Sequence, residues 1–182
     1  MTSPMSHRLL VASILTLLAA CGPGPQAMPA KPPKPEAPPR APGLPVTDAA
    51  VGPVTMTTPF DQAAIRRMFP DSTVTTELRA EGGVILVTGP GDLTLELRST
   101  NLRTIDRALA EGGIWRGPRG EKAGDSRAAL GFGAADCEAG AGRTAGRLIC
   151  RRAEALRPGL VFTPGADGTA WLSGFLWQAD PS

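Results

Sequence analysis

Tyrosine is missing from this chain of 182 residues, and the one histidine, His7, sits close to its start. The segment around His7 reads as an export signal that is cut away, so the expected mature protein has no imidazole. That excludes Ser–His and Cys–His nucleophile pairs, histidine-held metals and the usual general base near neutral pH. Any catalysis would rest on carboxylates, Lys122 or backbone groups. An excess of one charge is lacking too. The formal balance is +2, which gives no electrostatic case for a nucleic-acid partner. No apolar run approaches the roughly 20 residues that a membrane-spanning helix needs. The basic residues are almost all arginine, and alanine, glycine and proline abound, a bias read as genome composition before function.

What is present begins at the amino terminus. His7 and Arg8 precede an apolar stretch over residues 9–20 that ends in Leu18-Ala19-Ala20-Cys21. A basic start, a short apolar stretch and a small-residue cut site describe a secretory signal over residues 1–20, and Met5 offers a second start with the same features. Leu18-Ala19-Ala20-Cys21 closely resembles the lipobox of bacterial lipoproteins. The resemblance implies cleavage before Cys21, a diacylglycerol on its thiol and an acyl group such as palmitate on its new amino group. Two or more chains make attachment to a membrane durable. Gly22 stands where an aspartate would resemble the inner-membrane retention signal, so the implied address is the outer membrane, facing the periplasm.

Residues 21–45 form the next segment, in which proline recurs every second or third position among Lys31, Lys34, Glu36 and Arg40. Proline removes the donors that helices and sheets require, and no apolar period is present. The favoured reading is a disordered, semi-rigid spacer. At about 3.1 Å per residue in polyproline II its reach is about 70 Å when fully extended.

Residues 46–182 carry the pattern of one globular domain. Residues 54–57 predict a short strand. Thr58-Pro59-Phe60-Asp61 then opens a helix with Thr58 as its cap, and Phe60, Ala64, Ile65, Met68 and Phe69 share one face before Pro70 stops it. In residues 73–80, Val74, Thr76, Leu78 and Ala80 alternate with Thr75, Glu77 and Arg79. Residues 84–87 are an apolar strand, Leu93, Leu95 and Leu97 point one way in residues 93–98, and residues 102–109 continue with weaker alternation. With glycine-rich turns between them these segments make an antiparallel meander. Gly124-Asp125-Ser126 predicts the cap of a short helix reaching Leu130. Residues 146–152 and 160–163 are further strands. The last strand, residues 169–178, places Trp171, Phe175 and Trp177 on one face and Leu172 and Leu176 on the other, a pattern read as core packing in preference to an aromatic ligand pocket. The expected fold class is α+β: a single antiparallel β-sheet domain with one N-terminal helix and one short helix, preceded by a disordered proline-rich linker and a signal peptide.

With Cys21 lipidated, Cys137 and Cys150 remain, and an even pair in an oxidising compartment implies a disulfide. The residues give no metal site, no cofactor and no catalytic set. Gly131-Phe132-Gly133 and the glycines of residues 140–146 look faintly like nucleotide loops but lack the strand–loop–helix context. Arg143, Arg147, Arg151 and Arg152, with Arg116 and Arg119, are either ligands for anionic lipid phosphates or, as favoured, charges on solvated strand faces. Asp92, Glu96, Asp106 and Glu111 are the carboxylates from which a hydrolase pair would be drawn, the least favoured reading.

The order of a strand leading into Thr58-Pro59 and a helix, paired strands, Gly124-Asp125-Ser126, the pair Cys137 and Cys150, and a last strand ending at Trp177 resembles the small family of RpoE-regulated, YfeY-like outer-membrane lipoproteins. The resemblance covers nearly the whole domain. It implies a periplasm-facing lipoprotein linked to envelope stress, in a family that defines no catalytic or binding residues. The expected role is therefore non-enzymatic: binding or stabilising an envelope protein, lipid or glycan, with the membrane as partner through the anchor. A carrier of small ligands or lipids with a hydrophobic pocket is the alternative.

Overall fold

The computed structural model describes residues 43–153 and 158–178. The chain divides into two units, Met1–Pro39 and Arg40–Ser182, and the described residues all belong to the second. The signal segment, Cys21 and nearly all of the proline-rich run lie outside the described residues.

The described residues already form a strand slightly before the expected boundary at residue 46. Strand β1 (Leu44–Pro45) pairs in parallel with a later strand, β8 (Trp115–Arg116). The Leu44 amide donates to the Ile114 carbonyl at 2.9 Å and the Val46 amide to the Arg116 carbonyl at 2.7 Å. Proline tolerates this place because residues 44 and 46 supply the amides that face β8; Pro45 faces the other way, where only its carbonyl is used, accepting the Gly52 N–H at 2.7 Å. Strands β2 (Ala50–Val51) and β3 (Val54–Thr55) follow as a tight hairpin that buries Val46, Val51 and Val54.

Helix α1 (Gln62–Met68) starts later than Thr58 predicts. Asp61 is the cap: its backbone is extended and its side chain accepts the Ala64 N–H at 2.6 Å. Thr58 is spent elsewhere, accepting from the Thr55 N–H at 2.9 Å to close the preceding turn. Ala64, Ile65 and Phe69 are buried as the apolar stripe requires, and the chain leaves the helix at Phe69, just before Pro70.

The main sheet holds eight strands: β4 (Thr73–Arg79), β5 (Gly82–Gly89), β6 (Leu93–Ser99), β7 (Arg107–Glu111), β9 (Cys137–Ala139), β10 (Leu148–Cys150), β11 (Pro158–Pro164) and β12 (Ala170–Gln178). Their spatial order is β4-β5-β6-β7-β12-β11-β10-β9, antiparallel throughout. Two meanders, each built of sequential neighbours, thus meet along a seam between β7 and β12, where Phe175 faces Ala110 and Trp177 faces Ala108. The small alanines leave room for the large rings opposite them.

One face of this sheet carries the core. Ile85, Val87, Leu95, Leu97, Ala108, Ala110, Leu160, Phe162, Phe175 and Trp177 pack there with Ile65 of α1 and with Val46, Val51, Val54 and Trp115 of the amino-terminal strands and β8. Burying each large side chain contributes about 1.5–3 kcal/mol. Both fully buried indoles find acceptors: Trp115 donates to the Glu111 carbonyl at 3.0 Å and Trp177 to the Asp48 carbonyl at 3.3 Å.

Several sequence expectations shift for identifiable reasons. A bulge in β12 sets Val161 opposite Gly174 but Phe162 opposite Leu172, so Ser173 has no counterpart. The extra residue turns the alternation over. Leu172 therefore joins Phe175 and Trp177 in the core, while Trp171 lies 44% exposed. The segment expected to be a helix up to Leu130 makes a single turn, in which the Ser126 hydroxyl accepts the Ala129 N–H at 3.1 Å and Gly131, at φ +73°, ends it. Strand β7 starts at Arg107, because residues 99–104 turn around Asn101, whose side chain accepts from Arg103 N–H at 2.8 Å and the Ser99 hydroxyl at 3.1 Å. Leu78 is exposed: it lies on the outermost strand, beyond the Val74 end where α1 packs.

Candidate binding cleft

The second face of the sheet has its own, smaller apolar layer. Leu109 of β7, Leu176 of β12, Val161 of β11 and Ile149 of β10 are buried together there. They are covered by the connection between β9 and β10, residues 140–147, which bends back over the strands instead of extending beyond them. Ala141, Thr144 and Leu176 line one small cleft between this connection and the sheet, and a short 3-10 turn, Gly142–Thr144, is closed by the Thr144 hydroxyl donating to the Ala141 carbonyl at 2.9 Å. The glycines of this segment therefore belong to a hairpin tip, and Phe132 of the other glycine pattern is a core ring. Neither forms a nucleotide loop.

Cysteines hold the base of that hairpin. Cys137 and Cys150 are direct cross-strand partners of β9 and β10 and form a disulfide, with Cα atoms 4.0 Å apart. Bonding of Gly140 to Arg147 and of Arg151 to Asp136 makes 137/150 a non-hydrogen-bonded pair, the position where facing side chains come closest.

Ion pairs tie the tip to the face below. Glu96 of β6 accepts from Arg98 at 2.7 Å through one oxygen and from Arg143 of the tip at 2.9 Å through the other. Arg147 pairs with Glu111 of β7 and also donates to the Arg143 carbonyl at 2.6 Å. Arg151 pairs with Glu138 and donates to the Gln178 side chain at 3.0 Å. On the opposite face Arg152 lies 4.4 Å above the Phe132 ring and donates to the Leu130 carbonyl at 2.8 Å. The arginine run read from the sequence is thus largely taken up within the fold.

Arg107 differs. Its side chain makes no hydrogen bond or ion pair among the described residues, and it stands exposed where two clefts meet. The larger has a volume of about 480 Å³, an apolar floor of Ile149 and Leu176, and a rim of Arg107, Arg151, Glu138 and Gln178. The smaller, about 180 Å³, runs under the hairpin tip between Glu96, Arg98 and Arg143 over Leu109. Around both, Arg98, Arg107, Arg143, Arg147 and Arg151 outnumber Glu96, Glu111 and Glu138, which leaves local positive charge beside apolar floor. Such a surface suits an anionic group carrying an apolar part.

Sequence reading did not single out Arg107. The signal was there in the alternation of Arg107, Leu109 and Glu111 with the core alanines Ala108 and Ala110, hidden by a strand start placed too early. The four carboxylates do not gather. Asp92 sits in the β5–β6 turn at φ +59°, and Asp106 holds the preceding turn by accepting the Thr100 N–H and hydroxyl at 2.6 and 2.7 Å. Glu96 and Glu111 are diagonal neighbours on one face, but both Glu96 oxygens are engaged by guanidinium groups. Among the described residues no group of three or more His, Cys, Asp or Glu could hold one metal ion, and no helix is long and apolar enough to cross a membrane.

Comparison of the chain with protein-family models and with curated proteins finds no match. Among solved structures it is similar to the uncharacterized protein yfeY from Escherichia coli, with a TM-score of 0.58 and 18% identity over 73% of this chain and 98% of that one. Nearly the whole of that protein is matched, so at the level of fold this chain is YfeY-like.

Proposed function

We propose that this chain is a lipid-anchored envelope protein, facing the periplasm from the outer membrane, that binds an anionic and partly apolar envelope component without converting it. The anchor rests on Leu18-Ala19-Ala20-Cys21. The binding role rests on one observation: Arg107, unpaired among the described residues, stands at the mouth of an open cleft with an apolar floor. A guanidinium offers a planar fork to phosphate or carboxylate, while Leu176 and Ile149 receive the apolar part.

The test is native mass spectrometry of the full chain isolated from a bacterium without reducing agent, beside Arg107→Glu. A mass retained by the wild type and lost from the variant supports the reading and gives the ligand's class. A bare wild-type protein, or a mass retained equally by both, overturns the assignment of the cleft.

A further inference from the structure

Strand β4 ends the sheet on one side, and its outer edge is closed only in part. The Val74 carbonyl accepts from the Gln62 side chain at 2.6 Å and from Arg66 at 3.3 Å, so it points away from β5. In an antiparallel strand every second residue directs both its N–H and C=O the same way. Thr76 and Leu78 therefore also face outward, and within one chain nothing among the described residues bonds their backbone groups. Leu78 is 72% exposed, and Leu102, 49% exposed, leans on Gly83, the residue opposite Leu78 in β5. Apolar surface thus lies beside a hydrogen-bonding edge, the combination that natural sheets normally shield.

The sequence of the edge specifies what fits it. We propose that two copies of this chain associate through β4, antiparallel about a two-fold axis at Leu78. In this register Leu78 meets Leu78 of the second copy in a hydrogen-bonded pair. Glu77 then lies directly opposite Arg79 of the second copy, and Arg79 opposite its Glu77, both in the close, non-hydrogen-bonded positions. Within one chain Glu77 and Arg79 already bond each other at 2.7 Å in the open, and association turns that pair into a four-membered network. Neighbouring registers fail. An axis at Glu77 or at Arg79 sets like charges face to face, and an axis at Thr76 drives Leu78 against Val74, whose carbonyl α1 has covered.

Cross-linking of the full chain in intact bacteria tests the register. Paired Leu78 positions lie about 5.5 Å apart between Cα atoms, within disulfide range, so Leu78→Cys yields a covalent dimer on a non-reducing gel. Paired Thr76 positions lie about 14 Å apart, four strand residues out of step, so Thr76→Cys does not. Sedimentation of the full chain in mild detergent supplies the second readout. Glu77→Arg weakens the dimer about tenfold or more, and the double variant Glu77→Arg/Arg79→Glu restores it. Equal cross-linking at both positions, absence of any Leu78→Cys dimer, or a double variant no better than Glu77→Arg overturns the proposal.

Discussion

Asp61 supplies the acceptor for the Ala64 N–H, one of the four donors that a helix start leaves unmatched. Replacing it with alanine is expected to cost about 1 kcal/mol of stability and to speed amide exchange at Ala64. Thr58→Ala leaves that amide protected, because its hydroxyl serves Thr55 instead. Asp167, in the turn between β11 and β12, is held below the usual carboxylate range, first by the Thr169 backbone N–H and then by its hydroxyl, both at 3.0 Å. A group whose pKa falls on folding stabilises the folded state above its unfolded value, and the gain is lost as pH drops through the folded one. The turn should therefore loosen only below about pH 4. Thr169→Val should move the Asp167 titration part of the way back up, as followed by carbon-detected NMR of its carboxyl.

Elements differ in how openly the sequence declares them. The meander β4–β7 is legible because Val74, Val87, Leu95 and Leu97 alternate between glycine-rich turns. The aromatic strand is legible as a strand, yet its faces are not, because one extra residue at Ser173 reverses the count and no composition marks a bulge. The failed helix before Leu130 has a proper cap in Ser126 but no apolar stripe to dock, and short helices draw their stability from docking. Arg107 escaped notice for a similar reason: only the correct strand start places it on the second face. Of the hairpin β9–β10, the sequence shows β10, as residues 146–152, and the cysteine pair, but β9 has three residues and carries no pattern. The hairpin should depend on those cysteines accordingly. Replacing both Cys137 and Cys150 with alanine is expected to cost about 3 kcal/mol in urea unfolding, to loosen residues 140–147, and to weaken whatever ligand the cleft retains.

At the scale of the whole molecule, the proposed anchor and the fold make separate predictions. Cys21→Ser should abolish metabolic labelling with palmitate and release the protein from the membrane fraction, while the far-ultraviolet circular dichroism of the folded unit stays unchanged. Labelling that persists in the variant would place the lipid elsewhere and refute the anchor. Strand order was beyond reading, because pairing of β7 with β12 depends on two stretches far apart in sequence that share only complementary size, Ala108 and Ala110 against Trp177 and Phe175.

That seam has a consequence for how the chain is made. Synthesis runs from the amino terminus, so β4 to β7 emerge as a finished half whose inner edge has no neighbour. The second meander likewise grows from its outer edge, β9, inward, and β12 follows its seven sheet partners out of the ribosome. Until it arrives, β7 and β11 each present a raw edge, and Phe175 and Trp177 are missing from the core. Among the eight strands of the sheet the completing piece is thus β12, and a chain lacking it would be two half-sheets in search of any strand, a substrate for proteolysis rather than a smaller version of the same protein.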